Sequence, residues 1–380
     1  MTIYLDCNAT TPIDSRVAES VVKYMTEEFG NAGSRTHEFG TRAKKAVQRA
    51  RAQVAKAVGC DEAKGEVVFT SGATEANNLA ILGLEAHGEK RDRKHIVTTQ
   101  IEHKAVLEPV EQLKERGFEV DFVAPNEAGR VEVAEIEEVL RDDTLLVSMM
   151  QVNNETGIRQ PIGAVADLLE GSDSYFHVDA AQGFGKEIEP LRHERIDMVS
   201  ISGHKIYGPK GIGALAMRRR RYRLPPLRGL MVGGGQERNL RPGTLPVPLV
   251  VGLGKAAELA MEECDSRRSL CMAFREQALE ALAPLKPRFN GNQEHCLPHV
   301  LNIAFEGVDQ EALVVAFRGI AAISNGSACT SSEEKRHSHV LKAMKVPEWV
   351  LDGAIRLSWC HETEEPDWER LVEEVEYLRR

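Results

Sequence analysis

The sequence lacks any apolar stretch long enough to cross a bilayer, and it lacks a leader-like start. Residues 1–12 contain no basic segment followed by an apolar core. Internal repeats and low-complexity tracts are also missing, which excludes a solenoid and a disordered linker. We therefore expect a compact protein that contacts no membrane and stays in the cytoplasm.

Closely spaced cysteine pairs are missing as well. The seven cysteines are odd in number and scattered, with no Cys-x-x-Cys motif. This pattern indicates neither a disulfide framework nor a zinc site. We expect no metal centre and a reducing compartment, in which most of these cysteines are inert, small apolar residues.

An excess of positive charge is the third missing feature. The chain carries 58 acidic and 48 basic side chains, a formal net charge of -10, so it repels nucleic acid and anionic membranes at long range. One basic run, residues 218–223, departs from this balance, and we interpret it as a solvated turn. Direct nucleic-acid binding is not expected.

What the sequence does contain is an α/β pattern. With 380 residues, 42% of them apolar, the chain can fill two hydrophobic cores. Short apolar runs alternate with helix-like segments, which favours a mainly parallel sheet covered by helices. In such sheets ligands bind outside the carboxyl ends of the strands, so polar residues there matter most. The runs are 67–69, 95–97, 120–123, 145–147, 175–178 and 198–201.

A second region follows the proline-rich stretch 241–248, which we take as a domain boundary. Its pattern predicts a long helix, three strands and a closing amphipathic helix, which is typical of a smaller α+β domain. The predicted long helix covers about 249–285, the strands 299–305, 321–324 and 354–358, and the closing helix 364–380.

Three predicted strand ends carry candidate ligand-binding residues. Around Gly72 a strand passes through a small-residue loop into a helix, whose free N–H groups could hold a phosphate. Lys205, if desolvated near other cations, could form a Schiff base with an aldehyde. Asp179 could pair with a protonated pyridine nitrogen. Taken singly, a loop like that at Gly72 is as often empty, a lysine like Lys205 more often reaches solvent, and an aspartate like Asp179 is more often a helix cap or part of a structural salt bridge. The combination of the three favours a site.

Four more residues extend this candidate site. His103 could stack on a ring and shuttle protons, although a lone histidine is more often structural. Asn154 offers an amide, although paired asparagines often only make a turn. Arg356 interrupts an apolar strand and could clamp a carboxylate, unless it reaches water at a sheet edge. Cys329 lies among small residues that could swing its thiol into a pocket.

Seven motifs distributed along the chain share one resemblance. They are Tyr4-Leu5-Asp6, Ala9-Thr10-Thr11-Pro12, residues 70–75, Glu102-His103-Lys104, residues 152–155, Ser202-Gly203-His204-Lys205 and residues 326–330. They resemble the class V aminotransferase-like enzymes that use pyridoxal phosphate (PLP), and specifically the cysteine desulfurases of the NifS/IscS type. The resemblance implies fold type I: a large domain, 13–250, with a mainly parallel seven-stranded sheet, and a smaller α+β domain, 1–12 and 251–380, which carries the Cys329 loop.

The resemblance also implies an activity and roles for individual residues. A PLP-dependent transferase of this kind converts L-cysteine to L-alanine and holds the sulfur as a persulfide, here on Cys329, for an acceptor protein. Lys205 is then the lysine that carries PLP, and His103 is its acid–base partner. The resemblance assigns phosphate binding to Ala73, Thr74, Ser202, His204 and, across a homodimer, Thr244. It assigns contacts with the cofactor ring to His103, Asn154, Asp179 and Gln182. It assigns substrate binding to Asn31, Asn154 and Arg356.

Local variants favour one branch of this group. Asn31-Ala32-Gly33-Ser34 replaces the usual asparagine-proline pattern, and the chain stops at Arg380 without the tail that longer relatives use for scaffold docking. We therefore do not expect docking to an iron–sulfur scaffold. Residues 31–38, 181–186 and 358–361 are most similar to the DndA-like desulfurases that serve DNA phosphorothioation. The open alternatives are an iron–sulfur or tRNA-thiolation desulfurase, a selenocysteine lyase that needs no protein persulfide, and a non-enzymatic sulfur-relay subunit.

Overall fold

A computed structural model describes residues 2–60, 64–325 and 337–379 of the chain. Cys329 lies outside the described residues. The strands are β1 Ile3–Tyr4, β2 Gly65–Thr70, β3 His95–Thr99, β4 Glu119–Val123, β5 Thr144–Met150, β6 Tyr175–Asp179, β7 Met198–Ser202, β8 Gly213–Arg218, β9 Arg288–Phe289, β10 Val300–Ala304, β11 Ala321–Ala322 and β12 Ala354–Ser358. The α-helices are α1 Ser15–Thr26, α2 Glu38–Ala57, α3 Ala73–Leu82, α4 Glu85–Arg91, α5 Lys104–Glu115, α6 Val133–Val139, α7 Ile162–Leu168, α8 Val247–Leu282, α9 Gln310–Ala316, α10 His339–Ala343, α11 Glu348–Gly353 and α12 Trp368–Leu378.

Seven strands form the central sheet, in the order β2-β8-β7-β6-β5-β3-β4. The pairs from β7 through to β4 are parallel, whereas β8 runs antiparallel to both of its neighbours. All six apolar runs named above become strands of this sheet. The prediction of a mainly parallel seven-stranded sheet is confirmed.

The seventh strand, β8, is missing from the six runs because small residues, which have little strand propensity, make up half of it. The packing of β8 requires a small residue at one end of the strand. A Cβ on Gly213 would lie 2.6 Å from the backbone of Gly72. This close approach of two backbones holds the loop at Gly72 against the end of the sheet.

The second region has its own apolar cluster. β12, β10 and β9 form an antiparallel sheet, and β1 pairs in parallel with β11. Residues of α8, α9 and α12 pack with these strands around Trp359 and Phe305. α12 begins at Trp368, not near 364 as expected, because Asp367 caps it: the carboxylate accepts a 3.1 Å hydrogen bond from the Arg370 N–H.

The division of the chain into residues 13–250 and residues 1–12 with 251–380 stays a prediction. Most of the larger apolar cluster packs around the central sheet, but Val340, Leu341 and Val350 belong to it too. The segment that follows the Cys329 region therefore contacts the core of the large sheet. Among the helices of the described ranges, none is both long and apolar enough to span a membrane.

The basic run 218–223 is partly built into the fold. Arg218 is buried, and its guanidinium donates to the backbone carbonyls of Ile196, Leu191 and Val58. Residues 221–223 are exposed. The interpretation as a solvated turn therefore fits the end of the run and is wrong for Arg218, whose fork of donors satisfies carbonyls at the ends of several segments.

Replacing Arg218 by methionine leaves these buried carbonyls without a donor, so we expect the free energy of unfolding to fall by about 3 kcal/mol. Arg221→Met changes an exposed position of the same run and should cost less than about 0.5 kcal/mol. Urea denaturation of the two variants measures both values. Equal, small effects would contradict the structural role of Arg218.

Candidate active site

A cavity of about 610 Å³ opens at the carboxyl ends of β5, β6 and β7. Its charged lining consists of Lys205, Lys210, Arg356 and Asp179. Three cations against one anion, counted over the described residues, suit a ligand with negative charge. Ten of the predicted site residues line this cavity, namely Ala73, Thr74, His103, Asn154, Asp179, Gln182, Ser202, His204, Lys205 and Arg356.

Lys205 enters the cavity from a short turn that follows β7. Its Nζ donates to the backbone carbonyls of Asn8 and Ala9, the latter at 2.8 Å. These two residues belong to the segment 5–12, here called the N-terminal strap. The strap thus crosses the cavity next to the one lysine that the sequence singled out, and its carbonyls orient the Lys205 ammonium group.

The N-terminal strap is fixed to the turn that carries Lys205. The Thr11 N–H and hydroxyl both donate to the His204 carbonyl, each at 3.0 Å. The Thr11 hydroxyl also accepts a 2.9 Å hydrogen bond from the Tyr207 N–H. A single threonine therefore couples the strap to both sides of the lysine.

Asp179 ends β6 inside the cavity, with 5% of its surface exposed. Its carboxylate accepts hydrogen bonds from Asn77 Nδ2 at 2.7 Å and from the Ala181 N–H at 2.9 Å. Within the described ranges it has no lysine or arginine ion-pair partner, so the alternative of a structural salt bridge is not found. A buried carboxylate without a cation is costly, and a cationic ligand atom offsets that cost.

The first turn of α3 also lies at the cavity. Gly72 occupies the N-cap position, where it has no side chain to bond the free N–H groups of Ala73 and Thr74. A Cβ on Gly72 would meet nothing within 4 Å, so the space in front of these groups is open. Free N–H groups at a helix N-terminus, in an open polar cavity, suit a phosphate.

Two histidines of the cavity are held neutral. Burial, assisted by the neighbouring Lys205 and Lys210, lowers the pKa of His204 to about 4. Burial also lowers the pKa of His103, against the opposing charge of Asp179. Neutral imidazoles add no positive charge to the cavity and can still donate or accept a hydrogen bond.

His103 has a structural role that the sequence analysis did not assign. It caps α5, and its Nδ1 accepts a 3.1 Å hydrogen bond from the Ala105 N–H. Because Nδ1 is an acceptor, the proton of the neutral ring lies on Nε2. The cap thereby selects the tautomer that could hand a proton to a bound molecule.

Each of the two interpretations offered for the adjacent asparagines, a turn and a group of the site, applies to one of them. Asn153 is fully buried, and its Oδ1 accepts from two following backbone N–H groups, so it makes a turn. Asn154 lines the cavity. Its backbone carbonyl accepts hydrogen bonds from Asn8 Nδ2 at 3.1 Å and from Arg356 Nη1 at 2.8 Å.

Arg356 projects from β12 into the cavity and is 4% exposed, so it is not an edge-strand arginine reaching water. Its Nη2 forms a 2.6 Å ion pair with Asp6 of the N-terminal strap. The buried Nε finds no acceptor among the described residues. Arg356 is therefore oriented by Asp6, and its Nε donor is available to a ligand.

The described residues on either side of Cys329 are anchored at this site. Ser324 exchanges backbone hydrogen bonds with Arg356. On the far side, His339 Nε2 lies 2.9 Å from the backbone carbonyl of Glu102, next to His103. Cys329 itself lies outside the described residues, and its assignment as the nucleophile stays a prediction.

Asn31 and Thr244 do not line the Lys205 cavity of their own chain. They lie together in a second cavity of about 280 Å³, with Gln236 and Glu237. Their predicted roles toward substrate and phosphate are thus not met within one chain. The sequence analysis assigned Thr244 to the other subunit of a homodimer, and this arrangement is compatible with that assignment.

Sequence reasoning missed two residues of the site, Asn8 and Asn77. Asn8 contacts Lys205, Gln182 and Asn154, and Asn77 donates to Asp179. One available signal was the position of Asn77 in α3, where it is a polar residue at helical spacing from Ala73 and Ala80. Asn8 directly precedes a named motif, but its contacts lie far away in sequence.

The cavity contains buried polar atoms that find no partner among the described residues. They are Asn8 Oδ1, Asn77 Oδ1, Gln182 Oε1 and Arg356 Nε. Unpaired buried groups are rare in native proteins, so they indicate a polar ligand. The set fits PLP, whose phosphate suits the α3 terminus, whose ring nitrogen suits Asp179, and whose aldehyde suits Lys205.

Glu102 is a fully buried carboxyl group next to His103. Its Oε1 accepts hydrogen bonds from the Thr99 hydroxyl at 2.7 Å and the Met150 N–H at 2.9 Å. Burial dominates and raises the pKa of Glu102 to about 8, so the group is largely protonated near pH 7.

Glu102 should make stability depend on pH. Since the pKa of Glu102 is raised on folding, its contribution is complete below about pH 4.5 and is lost as pH rises through about 8. Relative to Glu102→Gln, the wild-type free energy of unfolding should fall by a few kcal/mol over this range. Urea denaturation at several pH values tests this, with the exposed Glu108→Gln as control. A parallel pH profile for wild type and Glu102→Gln would refute it.

Comparison with known proteins agrees with this geometry. Residues 3–371 match the family described as aminotransferase class-V, whose cofactor is PLP. The chain is 44% identical over 377 residues to the cysteine desulfurase IscS of Escherichia coli O139:H28 (strain E24377A / ETEC), covering 98% of this chain and 91% of that protein. The crystal structure of DndA from Streptomyces lividans is similar at 49% identity and a TM-score of 0.81, covering 94% of this chain and 99% of the other. A NifS-like protein is similar at 35% identity and a TM-score of 0.89, covering 100% and 98%. The chain therefore belongs to the class-V aminotransferase family and, within it, to the cysteine desulfurases of the NifS/IscS type.

Proposed function

We propose that this chain is a PLP-dependent cysteine desulfurase that converts L-cysteine to L-alanine and holds the released sulfur on Cys329. The observation that carries the proposal is the convergence of Lys205, Asp179 and the first turn of α3 in one cavity with net positive charge. A lysine, a carboxylate without a cation and an uncapped helix N-terminus match the three polar ends of PLP.

Each end of the cofactor has its own holder. Ala73, Thr74 and Ser202 present donors to the phosphate, and neutral His204 adds a ring nitrogen without adding charge. Asp179 would keep the nitrogen of the PLP ring protonated, and Asn154 and Gln182 would contact the ring hydroxyl. Bound PLP supplies an electron-withdrawing ring that stabilises negative charge at the substrate Cα.

Proton transfer is assigned to Lys205 and His103. Lys205, once its amine is free, takes the proton from the substrate Cα, and the Asn8 and Ala9 carbonyls hold its Nζ in position. His103 presents the Nε2 proton selected by its cap and exchanges it with the substrate thiol and side chain. Arg356, oriented by Asp6, binds the substrate carboxylate through donors that include its unpaired Nε.

Sulfur transfer is assigned to Cys329. Its thiolate attacks the substrate sulfur, the substrate Cβ–S bond breaks as an S–S bond forms, and Cβ gains a proton. One L-cysteine and the Cys329 thiol thus yield L-alanine and a Cys329 persulfide, with atoms and electrons in balance. The persulfide sulfur then passes to the thiol or other nucleophile of an acceptor protein.

Two substitutions separate the roles of cofactor and nucleophile. Lys205→Ala should abolish both the visible absorbance of bound PLP and alanine formation. Cys329→Ala should keep the absorbance and lose about 100-fold or more in alanine formation, because only the thiol is removed. Normal turnover of cysteine by Cys329→Ala would rule out the nucleophile. Selenocysteine turnover by this variant, without cysteine turnover, would instead favour the lyase alternative.

We also propose that the active unit is a homodimer. Asn31 and Thr244 share a cavity away from Lys205, so their family roles require a second chain. Large apolar side chains are exposed in the segments of the sequence that precede Asn31 and Thr244: Phe29 by 67%, and the consecutive Leu230, Met231 and Val232 by 45%, 46% and 97%. Exposed apolar residues of this size are typical of an interface.

Mixed dimers test whether Thr244 acts across the interface. We propose to combine Lys205→Ala subunits with Thr244→Asp subunits, each inactive alone because the second places a carboxylate beside the phosphate. If Thr244 serves the other subunit, each mixed dimer has one intact site and about half of wild-type activity. No activity in the mixture, despite mixed dimers by mass, would place Thr244 within its own subunit or outside the site. The two unmixed homodimers, Lys205→Ala and Thr244→Asp, are the controls and should be inactive.

The pathway served by the sulfur is the finer part of the proposal. The 49% identity to DndA supports delivery to a DNA-phosphorothioation acceptor protein over an iron–sulfur or tRNA-thiolation one. The described cysteines form no disulfide with one another, which fits a cytoplasmic, reducing compartment.

A further inference from the structure

A second group of sulfur atoms lies directly beneath the N-terminal strap. Cys7 of the strap and Cys360, just after β12, are both buried and pack together with Tyr207. The Cys7 N–H donates to the Ser358 carbonyl at 3.0 Å, and the Ser358 N–H donates to the Leu5 carbonyl at 2.8 Å. The backbone therefore holds the two cysteines side by side.

The Cys360 sulfur is surrounded by hydrogen-bond donors. The Cys7 thiol donates to it, as do the Thr363 hydroxyl at 3.4 Å and the Glu362 N–H. These donors lower the pKa of Cys360 to about 6 and raise that of Cys7, so the pair consists of one thiolate and one thiol near neutral pH. This is the arrangement of a nucleophile with an adjacent resolving thiol.

A buried cation accompanies this pair. Lys186 is fully enclosed, and its Nζ finds no hydrogen-bond acceptor among the described residues. Burial lowers the pKa of Lys186 to about 8, and negative charge on the neighbouring sulfurs of Cys7, Cys271 and Cys360 would oppose that shift. An ammonium group without an oxygen partner requires an anion nearby, and the Cys360 thiolate meets that requirement.

The third cysteine of this environment is different. Burial raises the pKa of Cys271 to about 12, so it remains a neutral thiol. Of the three sulfurs beside Lys186, only Cys360 combines a thiolate with a neighbouring thiol. This difference selects a reacting pair and provides a matched control.

We propose that Cys7 and Cys360 form a redox-active dithiol that a peroxide oxidises by two electrons. This modification site is separate from Cys329. The Cys360 thiolate attacks one peroxide oxygen, the O–O bond breaks, and Cys360 becomes a sulfenic acid as hydroxide leaves. The hydroxide takes up one proton, equal to the one lost when the Cys360 thiol ionised, and forms water. The Cys7 thiol then displaces the hydroxyl group, giving the Cys7–Cys360 disulfide and a second water. Two thiols and one hydrogen peroxide thus yield one disulfide and two waters.

The disulfide would act on the active site through Asn8. Asn8 follows Cys7 directly, and its carbonyl accepts from both Lys205 Nζ and Gln182 Nε2. Forming an S–S bond of about 2.05 Å draws the sulfurs closer than a thiol–thiolate hydrogen bond and shifts the strap at Cys7. Because Asn8 orients Lys205, oxidation should lower turnover reversibly.

Peptide mapping tests the chemistry without requiring turnover. The PLP-loaded protein is treated with hydrogen peroxide, blocked with iodoacetamide and digested with trypsin without reduction. We expect a cross-link between residues 1–16, which contain Cys7, and residues 357–370, which contain Cys360. A thiol reductant should remove it. Free Cys7 and Cys360 after peroxide has oxidised other cysteines, or a link from Cys360 to Cys271, would overturn the proposal.

Matched variants test the effect on the site. Cys271→Ser should keep the cross-link, because it removes a neighbouring thiol that takes no part. Peroxide should lower the alanine formation of wild type at least about twofold more than that of Cys360→Ser, which retains Cys329 as a target, and reductant should abolish the difference. Equal losses in the two proteins would contradict the coupling to Lys205. A Cys7–Cys360 cross-link in a protein that shows no turnover would support the dithiol proposal and count against the desulfurase proposal alone.

Discussion

The arrangement of the active site depends on the hydrogen bonds between the Lys205 ammonium group and the carbonyls of the N-terminal strap. Asn8 and Ala9 accept from Nζ, and Thr11 fastens the strap to the turn that carries the lysine. Without the strap, a lysine at the end of a strand extends into solvent. With it, the amine lies in the cavity that also contains Asp179.

The strap also orients other groups that line the cavity. Asp6 pairs with Arg356, and Asn8 contacts both Asn154 and Gln182. The charge that remains in the cavity is positive, since burial keeps His103 and His204 neutral. Two of the anionic groups of the proposed chemistry, the cofactor phosphate and the substrate carboxylate, therefore meet fixed donors in a partly desolvated space.

Much of this architecture follows from local sequence patterns. The buried strands appear as continuous apolar runs, and the polar residues after them, Lys205, Asp179 and His103, meet at one edge of the sheet because parallel strands end together. β8 could not be predicted in this way, because its small residues have little strand propensity. The close approach of Gly213 to Gly72 requires a small residue there.

Long-range contacts set the limit of what the sequence can predict. Nothing near Asn8 in the sequence indicates that it touches residues more than a hundred positions away. The same holds for Cys7 and Cys360, which looked like inert apolar cysteines until the fold placed them together beside Lys186. Asn31 and Thr244 could be assigned only through a family resemblance, because within their own chain they line a cavity away from Lys205.

The central claim is that Lys205 is the lysine that carries PLP. Borohydride reduction of the PLP-loaded protein fixes the cofactor to the amine that holds it, and tryptic mapping then locates that amine. The account predicts a phosphopyridoxyl group on Lys205, in the peptide 196–210 that results from blocked cleavage at this residue. The same group on Lys210, Lys186 or Lys104 would contradict it.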